Sequence, residues 1–228
     1  MAYVFPLWRQ PAVPVAGTDA LFPVRRIFCV GQNYAAHARE MGTDPTRQPP
    51  CFFTKPADVI VTGGADAPYP PATANLHYEI ELVVALASGG RDIEESRALD
   101  HVFGYAAGID LTRRDLQAAA KAAGLPWDMA KGFDHSAPIG TIRPAAAGGH
   151  PAKGAIRLLV NGAARQDSDI SGMIWPVAGV IAQLSKLVTL AAGDLIFTGT
   201  PEGVGAIKPG DRLEGSIEGV GTVSTTVT

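Results

Sequence analysis

Two glutamates two residues apart, Glu79 and Glu81, lie in the apolar run NLHYEIELVVALA. Residues at that spacing on a β-strand share a face, so the two carboxylates would stand about 7 Å apart, with His77 on the same side. Among Ile80, Leu82, Val83 and Val84, like charges repel and resist ionisation unless a cation joins them. A divalent metal meets that need, and Asp110, which ends the small-residue run FGYAAGID, is the natural third oxygen ligand. Three carboxylates without a thiolate favour Mg²⁺ or Mn²⁺ over zinc. The same alternation also describes an amphipathic strand with a solvated polar face, and spacing alone does not choose between the two. His77 is equally open as a ligand, a support for a ligand or a turn residue.

Acid–base chemistry has its own candidates. His37 and Glu40 are three apart in NYAAHARE, which makes them neighbours on a helix. The carboxylate would orient the imidazole and raise its basicity, leaving the other ring nitrogen to take a proton from water. Such pairs also occur on inert helix surfaces. Lys131 would offset the carboxylates and a dianionic substrate, or be an ordinary surface lysine. Arg114 and Gln117, one turn apart beyond Asp110, would bring a cation and an amide over the same metal, or face solvent. In FTGTPEGVG the Thr200 hydroxyl and the backbone donors around Gly199 could receive a carboxylate. That segment lacks the G-K-[ST] ending of a phosphate loop. No nucleophile elbow, H-E-x-x-H pair or dinucleotide fingerprint is present, and His101, His135 and His150 have no partner at ligand spacing.

Positioning these groups requires a β-rich framework. The 26 glycines and 18 prolines punctuate apolar runs along the whole chain, which suits short strands and tight turns. Strands are predicted over 25–31, 52–61 with a break at Pro56, 75–87, 103–112 and 155–162. The last ends in Asn161-Gly162, a two-residue hairpin signal. Further short strands are expected in 194–205 and 211–228. Helices are predicted over 33–40 with Asn33 as cap, 92–102, 113–124 and 175–190. Residues 1–23, with four prolines, form an extended arm, and 24–228 a single catalytic domain.

Length and composition exclude several classes. A chain of 228 residues buries enough surface to fold without staples. Its two cysteines, Cys29 and Cys51, sit beside apolar residues and predict reduced, buried thiols. With 19 basic and 22 acidic residues, the net charge of −3 argues against a nucleic-acid partner. The N-terminus MAYVFPLWRQPAVPVAG lacks a basic segment and an unbroken apolar core, and no run approaches 18 uncharged apolar residues, so a cytoplasmic protein without membrane association is expected.

The blocks VGQNYAAHAREMG, FFTKPAD, ANLHYEIELVVAL, GIDLTRRDLQ, GLPWDMAKGFDHSAPIG, VNGAARQDSDISGMIW and GDLIFTGTPEGVG resemble the fumarylacetoacetate hydrolase superfamily over about residues 24–222. Within it they are most similar to the bacterial fumarylpyruvate hydrolases of gentisate breakdown. The resemblance implies an α+β fold, a mixed β-roll of packed sheets with peripheral helices, and a homodimer. It implies Mg²⁺ or Mn²⁺ on Glu79, Glu81 and Asp110, a water-activating pair His37 and Glu40, and a catalytic Lys131. It further implies substrate contacts from Thr200, Arg114 and Gln117, with Lys55 at the edge of the site. Gln32 stands where relatives carry arginine, which removes a fixed cation from the expected pocket; Arg39 and Arg114 are the candidates to compensate. The implied reaction is metal-dependent hydrolysis of the C–C bond of 3-fumarylpyruvate to fumarate and pyruvate. Hydrolysis of other acylpyruvates and decarboxylation of oxaloacetate are the alternatives on the same fold.

Overall fold

Apolar runs broken by glycine and proline assemble into one central mixed sheet. Its six strands lie in the order Arg143–Pro144, Val102–Ile109, Ile80–Leu86, Asp194–Phe197, Arg26–Gly31, Cys51–Lys55. All neighbours are antiparallel except Asp194–Phe197 and Arg26–Gly31, which run parallel. The computed structural model describes residues 3–42, 44 and 49–228.

Both faces of this sheet are covered. On one face Leu82 and Val84 join a core with Ile156, Leu158, Leu213 and Ile217, which come from a four-stranded antiparallel sheet ordered Ala163–Asp169, Ala155–Val160, Arg212–Ile217, Gly221–Thr226. Gly215 permits the close approach of the two sheets, since a Cβ there would lie 2.4 Å from Ile80 Cδ1. On the other face Val83 and Ala85 pack with Ile27, Cys29, Leu195 and Phe197. Val13, Val15 and Phe22 of the proline-rich arm join that second core, carried by an antiparallel pair of strands, Ala12–Pro14 and Leu21–Pro23. A strand buried on both sides reads as continuous apolar sequence, which explains the run from Leu82 to Leu86 that follows Glu81. The result is an α+β fold, a mixed β-roll with peripheral helices.

The local signals act as their chemistry requires. Asn161 and Gly162 both take positive φ, 52° and 77°, in the two-residue turn between Ala155–Val160 and Ala163–Asp169. Three short helices flank the polar end of the sheet: α1 (Ala35–Glu40), α2 (Arg114–Ala123) and α3 (Asp128–Lys131). Helix α2 stops at Gly124 in the left-handed conformation. A longer apolar helix, Val177–Leu187, begins just after Pro176. No helix among the described residues is long and apolar enough to cross a membrane.

Four expectations change. The strand predicted over 75–87 is two, Leu76–Tyr78 and Ile80–Leu86, in different sheets. The break falls at Glu79, where the Ile80 N–H leaves the ladder and donates to Gln166 Oε1 at 3.0 Å. The segment predicted as a helix over 92–102 is a 3-10 helix, Glu95–His101; ahead of its start the Ile93 N–H is held by Ser185 Oγ. Asn33 does not cap α1, which starts after Tyr34 with no side-chain cap. Its amide instead donates to Trp175 O and Thr198 O and accepts from the Trp175 N–H. Finally, Cys29 is buried but Cys51 is exposed, at the start of an edge strand.

Candidate active site

The carboxylates converge where the two breaks in the sheet meet. Asp110 interrupts its own strand just as Glu79 does, and the Asp110 N–H donates to Glu79 O at 2.8 Å. Glu81 is paired in register with Gly108 on the adjacent strand. One oxygen from each of Glu79, Glu81 and Asp110 lies within 4.8 Å of the others, and all three side chains are buried.

Their electrostatics differ sharply. Burial pushes Glu79 upward, but Lys131 and Arg114 outweigh it and hold this carboxyl far below its usual range. Glu81 accepts one hydrogen bond, from the Gly199 N–H at 2.8 Å, and among the described residues has no ion pair. Burial first, then Asp110 and Glu79, push Glu81 well above the ordinary glutamate value. The Lys131 ammonium, at the end of α3, donates to Glu79 Oε2 and Asp110 Oδ2, both at 2.7 Å, and to Thr112 Oγ1 at 2.6 Å. Despite burial, those two carboxylates raise its pKa.

Lys55 departs from its expected place. It is not at the site edge: its side chain has no exposed surface and its Nζ stands 2.8 Å from Asp110 Oδ1, at an angle too oblique for a hydrogen bond. It donates to the Leu111 and Lys131 carbonyls. Lys55 lies on Cys51–Lys55, whose register against Arg26–Gly31 places it opposite Ile27.

The donor set fits a hard divalent cation. Three carboxylate oxygens are the ligand type Mg²⁺ and Mn²⁺ prefer. Glu79 and Asp110 already face Lys131, Arg114 and Lys55, whereas Glu81, among the described residues, accepts only from a backbone N–H. A bound dication would relieve the charge that burial makes costly there.

Glu79 and Glu81 open onto a small cavity of about 20 Å³. His37, Gln32, Arg114, Gln117, Lys131 and Thr200 line it. His37 Nδ1 lies 3.1 Å from Glu40 Oε2, so the other ring nitrogen is left for chemistry, and Glu40 is itself held by the Gly203 N–H at 3.2 and 3.3 Å. Arg114 pairs with Glu79 and Gln117. Thr200 Oγ1 accepts from Gln166 Nε2 at 2.9 Å. Gln32 adopts φ 57°, in the left-handed region. Arg39 is exposed and does not line the cavity. His77 is no member of the acidic cluster: it faces Asn75 Oδ1 at 2.9 Å and accepts from Arg114 Nε at 3.4 Å. Burial, then Arg114, lowers its pKa to about 4.

Sequence reasoning did not single out Thr112, Phe53, Trp127, Lys121 or Gln166. Phe53, Trp127 and Lys121 line the cavity, Thr112 holds Lys131, and Gln166 links Ile80 to Thr200. Lys121 alone carried a readable signal, since it continues the helical spacing of Arg114 and Gln117. Neither cysteine is an activated thiol: burial raises the pKa of Cys29, and partial desolvation raises that of Cys51.

Residues 26–228 match the fumarylacetoacetate (FAA) hydrolase C-terminal family. The chain belongs to the fumarylacetoacetate hydrolase family. Its fold superposes on fumarylpyruvate hydrolase from Pseudomonas aeruginosa, solved in complex with Mn²⁺ and pyruvate, with a TM-score of 0.97 and 51% identity over 100% of this chain and 99% of that one. It is 46% identical to fumarylpyruvate hydrolase of a Ralstonia species over 77% of this chain and 91% of that protein. Mitochondrial oxaloacetate tautomerase FAHD1 of Arabidopsis thaliana is 41% identical over 87% of this chain and 88% of that protein. Like other members of this hydrolase family, the chain is an enzyme, and its acidic cluster is suited to metal-dependent chemistry.

Proposed function

We propose that this chain hydrolyses the C3–C4 bond of 3-fumarylpyruvate to fumarate and pyruvate, in gentisate degradation, as a cytoplasmic homodimer using Mg²⁺ or Mn²⁺ held by Glu79, Glu81 and Asp110. The observation that carries this reading is the His37–Glu40 pair on the same cavity as the carboxylate cluster. It joins a water-activating base to a metal-type site. The 51% identity to a fumarylpyruvate hydrolase over the whole chain supports the substrate.

When bound, a divalent ion supplies a Lewis acid for the keto-acid oxygens of the substrate. His37 takes a proton from water, and Glu40 stabilises the imidazolium that results. The water oxygen attacks the C4 carbonyl; Gln117 donates to the oxygen on which negative charge develops, and the Lys131 ammonium, whose three N–H groups are held by Glu79, Asp110 and Thr112, stabilises it by its positive charge. Collapse of that centre breaks the C3–C4 bond, the electron pair passes to the pyruvyl fragment, and C3 takes up a proton from His37. Thr200 receives the substrate carboxylate, and Arg114 and Gln32 contact the acyl chain. Lys55, held away from the cavity, contributes by fixing Asp110.

A second reading has support in the oxaloacetate tautomerase relatives. Proton transfer on oxaloacetate, or its decarboxylation, would use the same acids without attack by water. Incubating the Mn²⁺-loaded protein with fumarylpyruvate and, separately, oxaloacetate distinguishes them. Equal amounts of fumarate and pyruvate are expected from the first. Turnover of oxaloacetate alone, to its enol or to CO₂, would overturn the hydrolase reading. Sedimentation of the purified protein tests the dimer.

A further inference from the structure

We infer that Lys121 is the specificity-determining residue for the far carboxylate of a dicarboxylic acylpyruvate, an assignment that rests on the hydrolase reading above. Arg114, Gln117 and Lys121 are spaced i, i+3 and i+7 on α2, so they share one face of the helix, and all three line the cavity. The first two are committed at its inner end: Arg114 to Glu79, and Gln117, which is buried, to Arg114. Lys121 is exposed, and among the described residues its ammonium makes no ion pair or side-chain hydrogen bond. Among the described residues, no acidic side chain other than Glu79 and Glu81 lines the cavity, and none of them pairs with Lys121.

Length matches this placement. Seven residues at about 1.5 Å rise separate Arg114 from Lys121 by about 10 Å along the helix axis. A seven-carbon diacid has six carbon–carbon bonds of about 1.5 Å between its carboxyl carbons, so one end held at the acidic cluster brings the other within reach of a lysine stem. The rings of Phe53 and Trp127, with centroids 6.0 Å apart, line the same cavity and offer an apolar wall for a flat conjugated chain. A four-carbon keto diacid has both carboxylates at the inner end and leaves Lys121 unused. Lys121 therefore favours a long dianion over a short one, and over an acylpyruvate with a neutral tail.

The test compares the parent, Lys121→Met and Lys121→Arg on fumarylpyruvate and on acetylpyruvate, which lacks the far carboxylate. For Lys121→Met the ratio of the two kcat/KM values is expected to fall by about 10- to 100-fold, the value of a charge-assisted hydrogen bond, with the loss in KM for fumarylpyruvate. Lys121→Arg is expected to keep most of the ratio. An unchanged ratio in Lys121→Met, or equal loss on both compounds, overturns the assignment. Calorimetric binding to the Mn²⁺-loaded protein separates this result from the parent reading. A parent that cleaves neither compound but binds fumarylpyruvate more tightly, with the preference lost in Lys121→Met, rejects the hydrolase function and retains the Lys121 contact. Equal affinity of the parent for both compounds rejects the contact.

Discussion

The Lys55 ammonium stands 2.8 Å from Asp110 Oδ1, and neither side chain has exposed surface. The two residues are far apart in sequence, and this contact makes the edge strand Cys51–Lys55 part of the site's support. Removing one member of a buried pair leaves the other charge without compensation. Lys55→Met is therefore expected to lower stability by about 3–5 kcal/mol, measured by urea denaturation. Adding Asp110→Asn should recover part of that loss. If Lys55→Met unfolds at the parent's urea midpoint, the pair has no structural role.

Glu81 gives the metal-free protein a pH dependence of definite sign. Its folded-state pKa is raised by burial and by Asp110 and Glu79, so the folded chain keeps a proton that the unfolded chain loses above about pH 4.3. Stability from this group is then present at low pH and lost as pH rises toward the folded pKa. Thermal melts of the metal-stripped protein between pH 5 and pH 8 should show that decline, with Glu81→Gln flattening it. Mn²⁺ should raise the melting temperature of the parent at pH 8 and leave that of Glu81→Gln almost unchanged. A parent profile as flat as that of the variant would falsify this account.

His37→Ala should reduce fumarylpyruvate hydrolysis by about 10²- to 10⁴-fold, the usual contribution of a general base. Mn²⁺ affinity, read by calorimetry, should stay near that of the parent because the acidic cluster is untouched. Glu40→Gln is expected to be milder, since the amide oxygen can still accept from Gly203 while the imidazolium loses its counter-charge. Full turnover by His37→Ala across the pH range would remove it as the base.

Gly199 should tolerate no side chain. Its φ is +94°, and a Cβ would lie 2.7 Å from Asn33 Cβ and 3.1 Å from Val30 O, while its N–H holds Glu81. Gly199→Ala is expected to cost about 1–3 kcal/mol through backbone strain and to weaken Mn²⁺ binding by displacing Glu81. Parent-like melting together with parent-like Mn²⁺ affinity would show that the loop yields without cost.

Local chemistry was legible in the chain because it depends on near neighbours. The Asn161-Gly162 turn, the stop of α2 at Gly124 and the apolar run from Leu82 to Leu86 all follow from backbone preference and periodicity. The i, i+3 spacing of His37 and Glu40 likewise brings those two side chains together on α1. Other relationships belong to the tertiary structure. The sheet breaks at Glu79 because Gln166, distant in sequence, takes the Ile80 N–H, and the break at Asp110 sets the two acids opposite each other. Asn33 carries an N-cap residue type, yet three hydrogen bonds to Trp175 and Thr198 claim its amide. Lys55 is expected at the edge of the site, just before the strand break at Pro56, yet the pairing of Cys51–Lys55 with Arg26–Gly31 carries it beneath Asp110. Residue type and spacing could nominate the charged groups, but which charges face one another depends on strand order and sheet packing, and these are set by contacts between segments far apart in the chain.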